Sequence, residues 1–470
     1  PTEPPKRALQ NEWGLAWHIE SQRGAETKQV LFDFGYTPET LLNNLKGVLS
    51  AAKLTVEAAS LNNAGAGVLA SKGELKVTLD GALDNSEKGL ISAGQKLILA
   101  SGSLDNSSDG LLSSRGALQL TTGVADNQGG SILSNSTLAA TTAALDNRGG
   151  ILSSQQTLTL DSAAVDNRDK GLITSADSLN LKAASLDSST GGEVSAQQAL
   201  QLTVNKLIQQ QGRLIGKAGV LIDFQGGDLD NRGGLLNATG PLSLLNLGKL
   251  DNRDMGEVSS DQSYSLIAKT IDNGNQGRLI SAGSLNIDVG SANLRNAEGG
   301  LISGWKGLTV NSGSLDNSAM GTLSSREGAL KVELKGTQRE LNNSGAGALV
   351  SKGKLEIDAA SLNNSDKGIV SSGGDLDLSL SGTLNNSDDG LIDSQGTLTV
   401  NAGAVDNHAG QIGSLKAASL TASSLDNRAG QLSSNAALTL VLSGNLLNTQ
   451  KAKLASAGPL VLKAAAVDNQ

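Results

Sequence analysis

The stretch from Ala143 to Gly171, AALDNRGGILSSQQTLTLDSAAVDNRDKG, writes one phrase twice. Leu145-Asp146-Asn147-Arg148 returns as Val165-Asp166-Asn167-Arg168. Followed outward, the third position of the phrase falls at Asn44, Asn63, Asn85, Asn106, Asn127, Asn147 and Asn167. It lapses to Ser188 and Gln209. It then resumes at Asn231, Asn252, Asn273, Asn296, Asn317, Asn343, Asn364, Asn386, Asn407, Asn427, Asn448 and Asn469. These occurrences recur about every 21 residues, a period of the solenoid class.

The rest of each unit is patterned as well. A glycine follows the phrase, as at Gly89, Gly110, Gly150, Gly171, Gly390 and Gly410. A variable residue comes next, then an apolar one such as Leu112, Val194, Leu214 or Ile412. Six residues later an alternating pair begins, as in Leu118/Leu120, Leu158/Leu160 and Leu438/Leu440. Alternation is the period of a half-buried strand. Gly, Asn, Asp and Ser punctuate each run as turn residues. Each unit therefore holds about three short strands, and one unit alone cannot bury its apolar face. Stacked units can, by pairing each strand with its copy one coil along. The expected fold is all-β: a right-handed parallel β-helix of about 20 coils over residues 41–470. At a strand spacing of about 4.8 Å it makes a rod on the order of 100 Å long. Tyr264 and the series Val220, Ile222 and Phe224 fall on inward positions of this register. Trp305 aligns with Arg115 in a turn, so it is expected to face solvent.

Within the phrase, alternation points the Leu inward, the Asp outward and the Asn inward at a corner. Stacked Asn residues are expected to hydrogen-bond their amides from coil to coil. This assigns a structural column to Asn85, Asn106, Asn127, Asn147, Asn167, Asn231, Asn252, Asn273, Asn317, Asn407 and Asn427. Asn also tolerates left-handed backbone, and the glycine that follows is expected to relieve the tight turn. Arg148, Arg168, Arg232, Arg253 and Arg428 stand two positions after an Asp and face the same way. They are expected to soften repulsion between stacked carboxylates at surface-pair strength.

Composition narrows the function. The 470 residues include 58 Gly, 6 Pro and no Cys, and aromatics make up only 2%. The core must be aliphatic, and disulfides and Cys-based zinc sites are excluded. A formal charge of −9 without a basic cluster argues against nucleic acid. No apolar run approaches the roughly 18 residues of a membrane span. The G-G-x-G-x-D nonapeptide of calcium-binding β-helices is absent, so no metal or cofactor is assigned. Polysaccharide-acting β-helix enzymes need a chemically singular cleft with paired carboxylates. Here the acids are the repeated Asp positions and the only histidines are His18 and His408, so no catalytic residue is assigned.

The phrase L-D-N-x-x-G-x-[LI]-x-S-x-x-x-L-x-L resembles the repeat of the filamentous haemagglutinin family. The resemblance covers about Leu42 to Gln470. It implies a stalk from a large exoprotein of a Gram-negative bacterium. Its implied export partner is the outer-membrane transporter of two-partner secretion, and its implied place is the cell surface. Contact-dependent growth inhibition exoproteins carry the same repeats. The family's N-P-N-G secretion motif and V-E-N-N boundary motif have no match here, so the chain reads as an interior stalk segment. A passive spacer and an adhesive rod that binds a surface receptor or glycan both remain open.

Three stretches depart from the repeat. Residues 1–40 do not repeat and hold five of the eight aromatics, Trp13 and Trp17 among them. They are read as a cap or the end of a preceding domain, with an aromatic binding surface as the alternative. The Asn column lapses between Ser188 and Gln211. The interval from Asn317 to Asn343 is the longest, with Lys335–Glu340 as the extra length. Trp13, Trp17, Trp305 and Arg339 are the candidate partner contacts.

Overall fold

A computed structural model of the chain describes residues 16–23, 26–33 and 48–470, with side chains from residue 48 onward. Trp13 lies outside the described residues. Trp17 falls on the strand Ala16–Arg23, which pairs antiparallel with Glu26–Asp33. Glu26–Asp33 in turn runs parallel to Lys53–Ala58. The chain divides between Ile222 and Asp223 into two compact units. Each is a parallel β-solenoid, and no helix occurs among the described residues.

In the first unit each coil contributes a four-residue strand to one sheet and, from Leu97–Asp105 to Ala199–Ile208, a single longer strand to the other. Leu111–Ser114, Ser131–Ser134, Ile151–Ser154 and Leu172–Ser175 stack in parallel, so that Leu112, Ile132, Leu152 and Ile173 form one inward file. The nine-residue strands Leu118–Asp126, Leu138–Asp146 and Leu158–Asp166 stack likewise. Leu118, Leu138, Leu158 and Leu179 then form a second file. Leu112, Leu118, Leu120 and Ala125 of a single coil are all essentially solvent-free. Each fully buried leucine is worth about 1.5–3 kcal/mol. The alternation seen in the sequence is thus the in–out alternation of the strands.

In the second unit the long strand is usually split in two. Leu330–Leu334 and Glu340–Asn342 belong to one coil, and Leu376–Leu380 and Leu384–Asn385 to another. The extra length after Asn317 lies between the first pair, outside the stacked files. Phe224 and Tyr264 point inward as expected, and the Tyr264 hydroxyl donates to the Val258 carbonyl at 3.2 Å. The strand Leu242–Asp251 carries a bulge: its register against Tyr264–Asp272 shifts between Leu244 and Leu247. Asn246, inside the bulge, has a left-handed φ of 53°.

The corner differs from the sequence reading in two respects. The column asparagines do not adopt left-handed backbone. Nor does the glycine that follows them. The left-handed residues stand just before that glycine, as at Lys88, Asp109, Lys170, Met255 and Asp389, with φ between 64° and 69°, each preceded by a second left-handed residue such as Glu87 or Ser108. The glycine answers a different demand, which is close approach. A Cβ on Gly110 would lie 2.5 Å from the Asn85 carbonyl oxygen and 2.6 Å from that of Asn106. Backbone cannot retreat from such contacts, because those carbonyls are fixed in the stack.

A paired substitution separates the two roles. Gly110→Ala is expected to cost about 3 kcal/mol by overpacking. Asp109→Gly, one residue earlier, is expected to be neutral or stabilising by up to about 1 kcal/mol, because it removes left-handed strain. Hydrogen exchange of the surrounding coil amides measures both; equal effects would contradict the close-approach account.

Candidate functional site

The asparagine column is the most regular constellation of side chains in the protein. Asn85 donates through Nδ2 to the Gly89 carbonyl at 3.1 Å and to Asn106 Oδ1 at 2.7 Å. Its Oδ1 accepts from Asn63 at 2.7 Å. In the first unit this link continues through Asn106, Asn127, Asn147 and Asn167 at 2.7 Å. It weakens to 3.4 Å where Asn167 meets the Ser188 hydroxyl. In the second unit an unbroken run joins Asn231, Asn252, Asn273, Asn296 and Asn317 at 2.7 Å. The longest interval, Asn317 to Asn343, keeps the same 2.7 Å. Asn407 and Asn427 are linked at 2.7 Å near the far end. The column from Asn85 to Asn427 is solvent-free, so it holds coils together and is not presented to a ligand.

A second column was not read from the sequence, which treated serine as turn filler. The last residue of the short strand is usually a buried Ser. Ser114 Oγ donates to the Gln95 carbonyl of the preceding coil at 2.6 Å, and Ser394 Oγ to that of Gly374 at 3.0 Å. The signal was present in the fixed Ser of L-x-S-S, whose spacing from the apolar file places it inward.

The outward Asp row behaves as a charge zipper. Arg148 grips Asp146 at 2.6 Å and reaches Asp166 of the next coil at 3.6 Å. In the second unit Asp251 is held by Arg253 at 2.8 Å, with Lys249 and Arg232 at 3.8 and 3.9 Å. Burial works to raise the Asp251 carboxyl. The Arg253 hydrogen bond and the surrounding cations outweigh burial and hold it below the usual carboxylate range. Arg428 does the same for Asp426.

The candidate contacts fare differently. Arg339, in the extra loop, is committed to its own fold: Nε donates to the Leu334 carbonyl at 2.8 Å and Nη2 pairs with Asp358. Trp305 is 40% exposed, as its turn position predicts, and the Arg326 guanidinium lies 5.1 Å from its ring centroid. Among the described residues no group of three His, Cys, Asp or Glu side chains is placed to hold a metal. No helix among them is long and apolar enough to cross a membrane.

Two expectations follow. Asn252→Ala removes one of the three acceptors of the Asn231 amide and leaves the buried Asn273 oxygen without its amide donor, and is expected to cost about 1–3 kcal/mol locally. Asn252→Asp keeps the shape but loses the donor and buries a charge, so it should cost more; a milder effect than Ala would contradict the ladder. The zipper gives a pH dependence. Because the folded-state pKa of Asp251 is depressed, its contribution is complete above its unfolded value of about 3.9 and is lost as pH falls through the folded value. Arg253→Ala should therefore cost up to about 1 kcal/mol at neutral pH, a difference that closes under acid. Urea unfolding across the pH range reads this out.

The haemagglutinin repeat model matches residues 37–87, 88–188, 174–254, 256–319, 280–336, 326–388, 372–450 and 429–470. No curated protein and no solved structure gives a significant match. The matched segments take in every described coil and both corner columns, so the chain belongs to the haemagglutinin repeat family.

Proposed function

We propose that the chain is a stalk segment of a large secreted exoprotein of a Gram-negative cell surface. It holds a distal receptor-binding or toxin-bearing region away from the producing cell, in adhesion or in contact-dependent growth inhibition. One observation carries this reading. The same 2.7 Å amide link recurs from coil to coil whatever side chains the coils turn outward. The interior encodes length and the exterior is largely free to vary.

The chemistry suits export through an outer-membrane transporter of the two-partner type. A chain without cysteine threads unfolded with no disulfide to reduce. Each emerging coil then needs only its neighbour as a template. Residues 1–40 act as a cap. This is supported by the hairpin of Ala16–Arg23 and Glu26–Asp33, whose second strand runs along Lys53–Ala58. Such a hairpin shields an end that would otherwise offer a free edge.

Deletion of one whole coil tests the stalk reading. Removing residues 106–126 joins Asp105 to Asn127 and restores the register that pairs Asp105 with Asp126. The shortened protein is expected to be secreted and to resist protease like the parent. Removing an odd part of that coil turns inward residues outward and should abolish both properties. Loss of secretion after whole-coil deletion would overturn the interchangeable-coil reading.

A further inference from the structure

Exposed aliphatic side chains in the second unit are mostly isolated, as at Val350, Leu415 and Val441, but one group of coils sets two of them side by side. On the outer face of the long sheet, Leu245 and Ile267 stand side by side on neighbouring strands, 47% and 61% exposed. Farther along the same outward row stand Asp288, Asn311, Glu333 and Asp358. Leu245 faces outward by alternation from the buried Leu244, and the bulge that follows re-aims the next residue, so that Asn246 is exposed beside it. Bulges commonly re-aim side chains beside functional sites.

These two side chains form one end of a shallow groove of about 660 Å³ that crosses five strands. Its middle is polar. Ser265, Asn286 and Thr309 line it, and their side chains make no hydrogen bond among the described residues. Its far end is cationic. Lys306 is exposed and has no ion pair among the described residues, while Lys331 is already paired with Glu333 at 3.1 Å. Trp305 precedes Lys306 in the turn, with Arg326 over its ring. Strand spacing puts the apolar and cationic ends on the order of 10–15 Å apart.

We infer that this groove binds a short oligosaccharide carrying a single carboxylate. The C–H faces of a sugar ring pack on Leu245 and Ile267, its hydroxyls meet the unused amide and hydroxyls, and the carboxylate meets Lys306. The carboxylate lies at the Lys306 end because Asp288 lines the adjoining depression beside Leu245 and Ile267. An extended peptide fits less well. Tyr264–Asp272 is paired on both sides, by Leu242–Asp251 and Ser284–Asp288, so the groove floor offers no free main-chain donors. A heavily sulfated polyanion needs a basic cluster, and this groove offers one unpaired ammonium in a protein of net charge −9. Two exposed aliphatic side chains are also too little for a self-interface, which needs about 1,000 Å². The proposal goes beyond the stalk reading and does not depend on it: whole-coil deletion elsewhere tests that reading without touching this groove.

The test is calorimetric titration of the full chain with sialyllactose and a hyaluronan disaccharide, each carrying one carboxylate, against lactose and a heparin fragment. At least one of the two carboxylated sugars is expected to bind, and lactose and heparin to bind more weakly. Ile267→Asn and Lys306→Ala, both at exposed positions, are each expected to weaken binding by roughly tenfold. The same change at exposed Lys182 should leave it unchanged. Circular dichroism confirms that the variants stay folded. Absence of binding to both carboxylated sugars would overturn the proposal. So would equal affinity in the variants, preference for heparin, or self-association that Ile267→Asn abolishes.

Discussion

A strand in this fold has no partner within its own coil. The amide of Asn85 donates to the carbonyl of Asp105, that of Asn106 to Asp126, and that of Asn127 to Asp146, each one coil along. Every coil therefore depends on a neighbour holding the same register. A slip of a single residue would turn each inward file outward. The asparagine column makes such a slip costly. Its amides are buried, and a buried amide deprived of its partner costs about 1–3 kcal/mol. A misplaced coil would orphan the column on both of its faces. The ladder thus acts less as added adhesion than as a specification of register.

The glycine and serine of each coil follow from that constraint. With Asn Oδ1 and carbonyls of two coils converging on one corner, a Cβ there would lie within 3 Å of them, so only a residue without Cβ fits. At the other corner the buried serine returns a hydroxyl to the carbonyl of the coil before. Where the serine gives way to alanine or glycine, as at Ala93, Ala196 and Gly216, the corner simply does without that bond. The asparagine is replaced far less often. The difference fits their geometry: the asparagine serves three acceptors, the serine one or two.

Much of this was legible in the sequence. The period, the alternation, the inward Asn and the turn position of Trp305 all follow from residue spacing, because a solenoid repeats its burial pattern with its sequence. What spacing did not reveal was backbone geometry. Asn and Gly are both familiar left-handed residues, so the corner reading assigned them that role. Yet the left-handed position just before the corner glycine takes Gly129, Gly149 or Asp109 in some coils and Lys88, Lys170 or Met255 in others, and the last three are not residues that propensity would select. The stack imposes that conformation, and its cost is met by the surrounding hydrogen bonds. The commitment of Arg339 to Leu334 and Asp358 was equally hidden, since its partners lie outside its own loop.

Departures from the repeat are not scattered evenly through the second unit. Phe224 fills an inward corner where other coils place a smaller side chain. The bulge at Leu244–Leu247 follows one coil on, and Tyr264 one coil after that. Each enlarges or re-shapes the interior, and close packing transmits such changes to the opposite face of the sheet. The apolar pair Leu245 and Ile267 appears on the outer face of these same coils. In a fold whose interior is otherwise written by rote, an altered inside beneath an altered outside marks the coils that do more than add length.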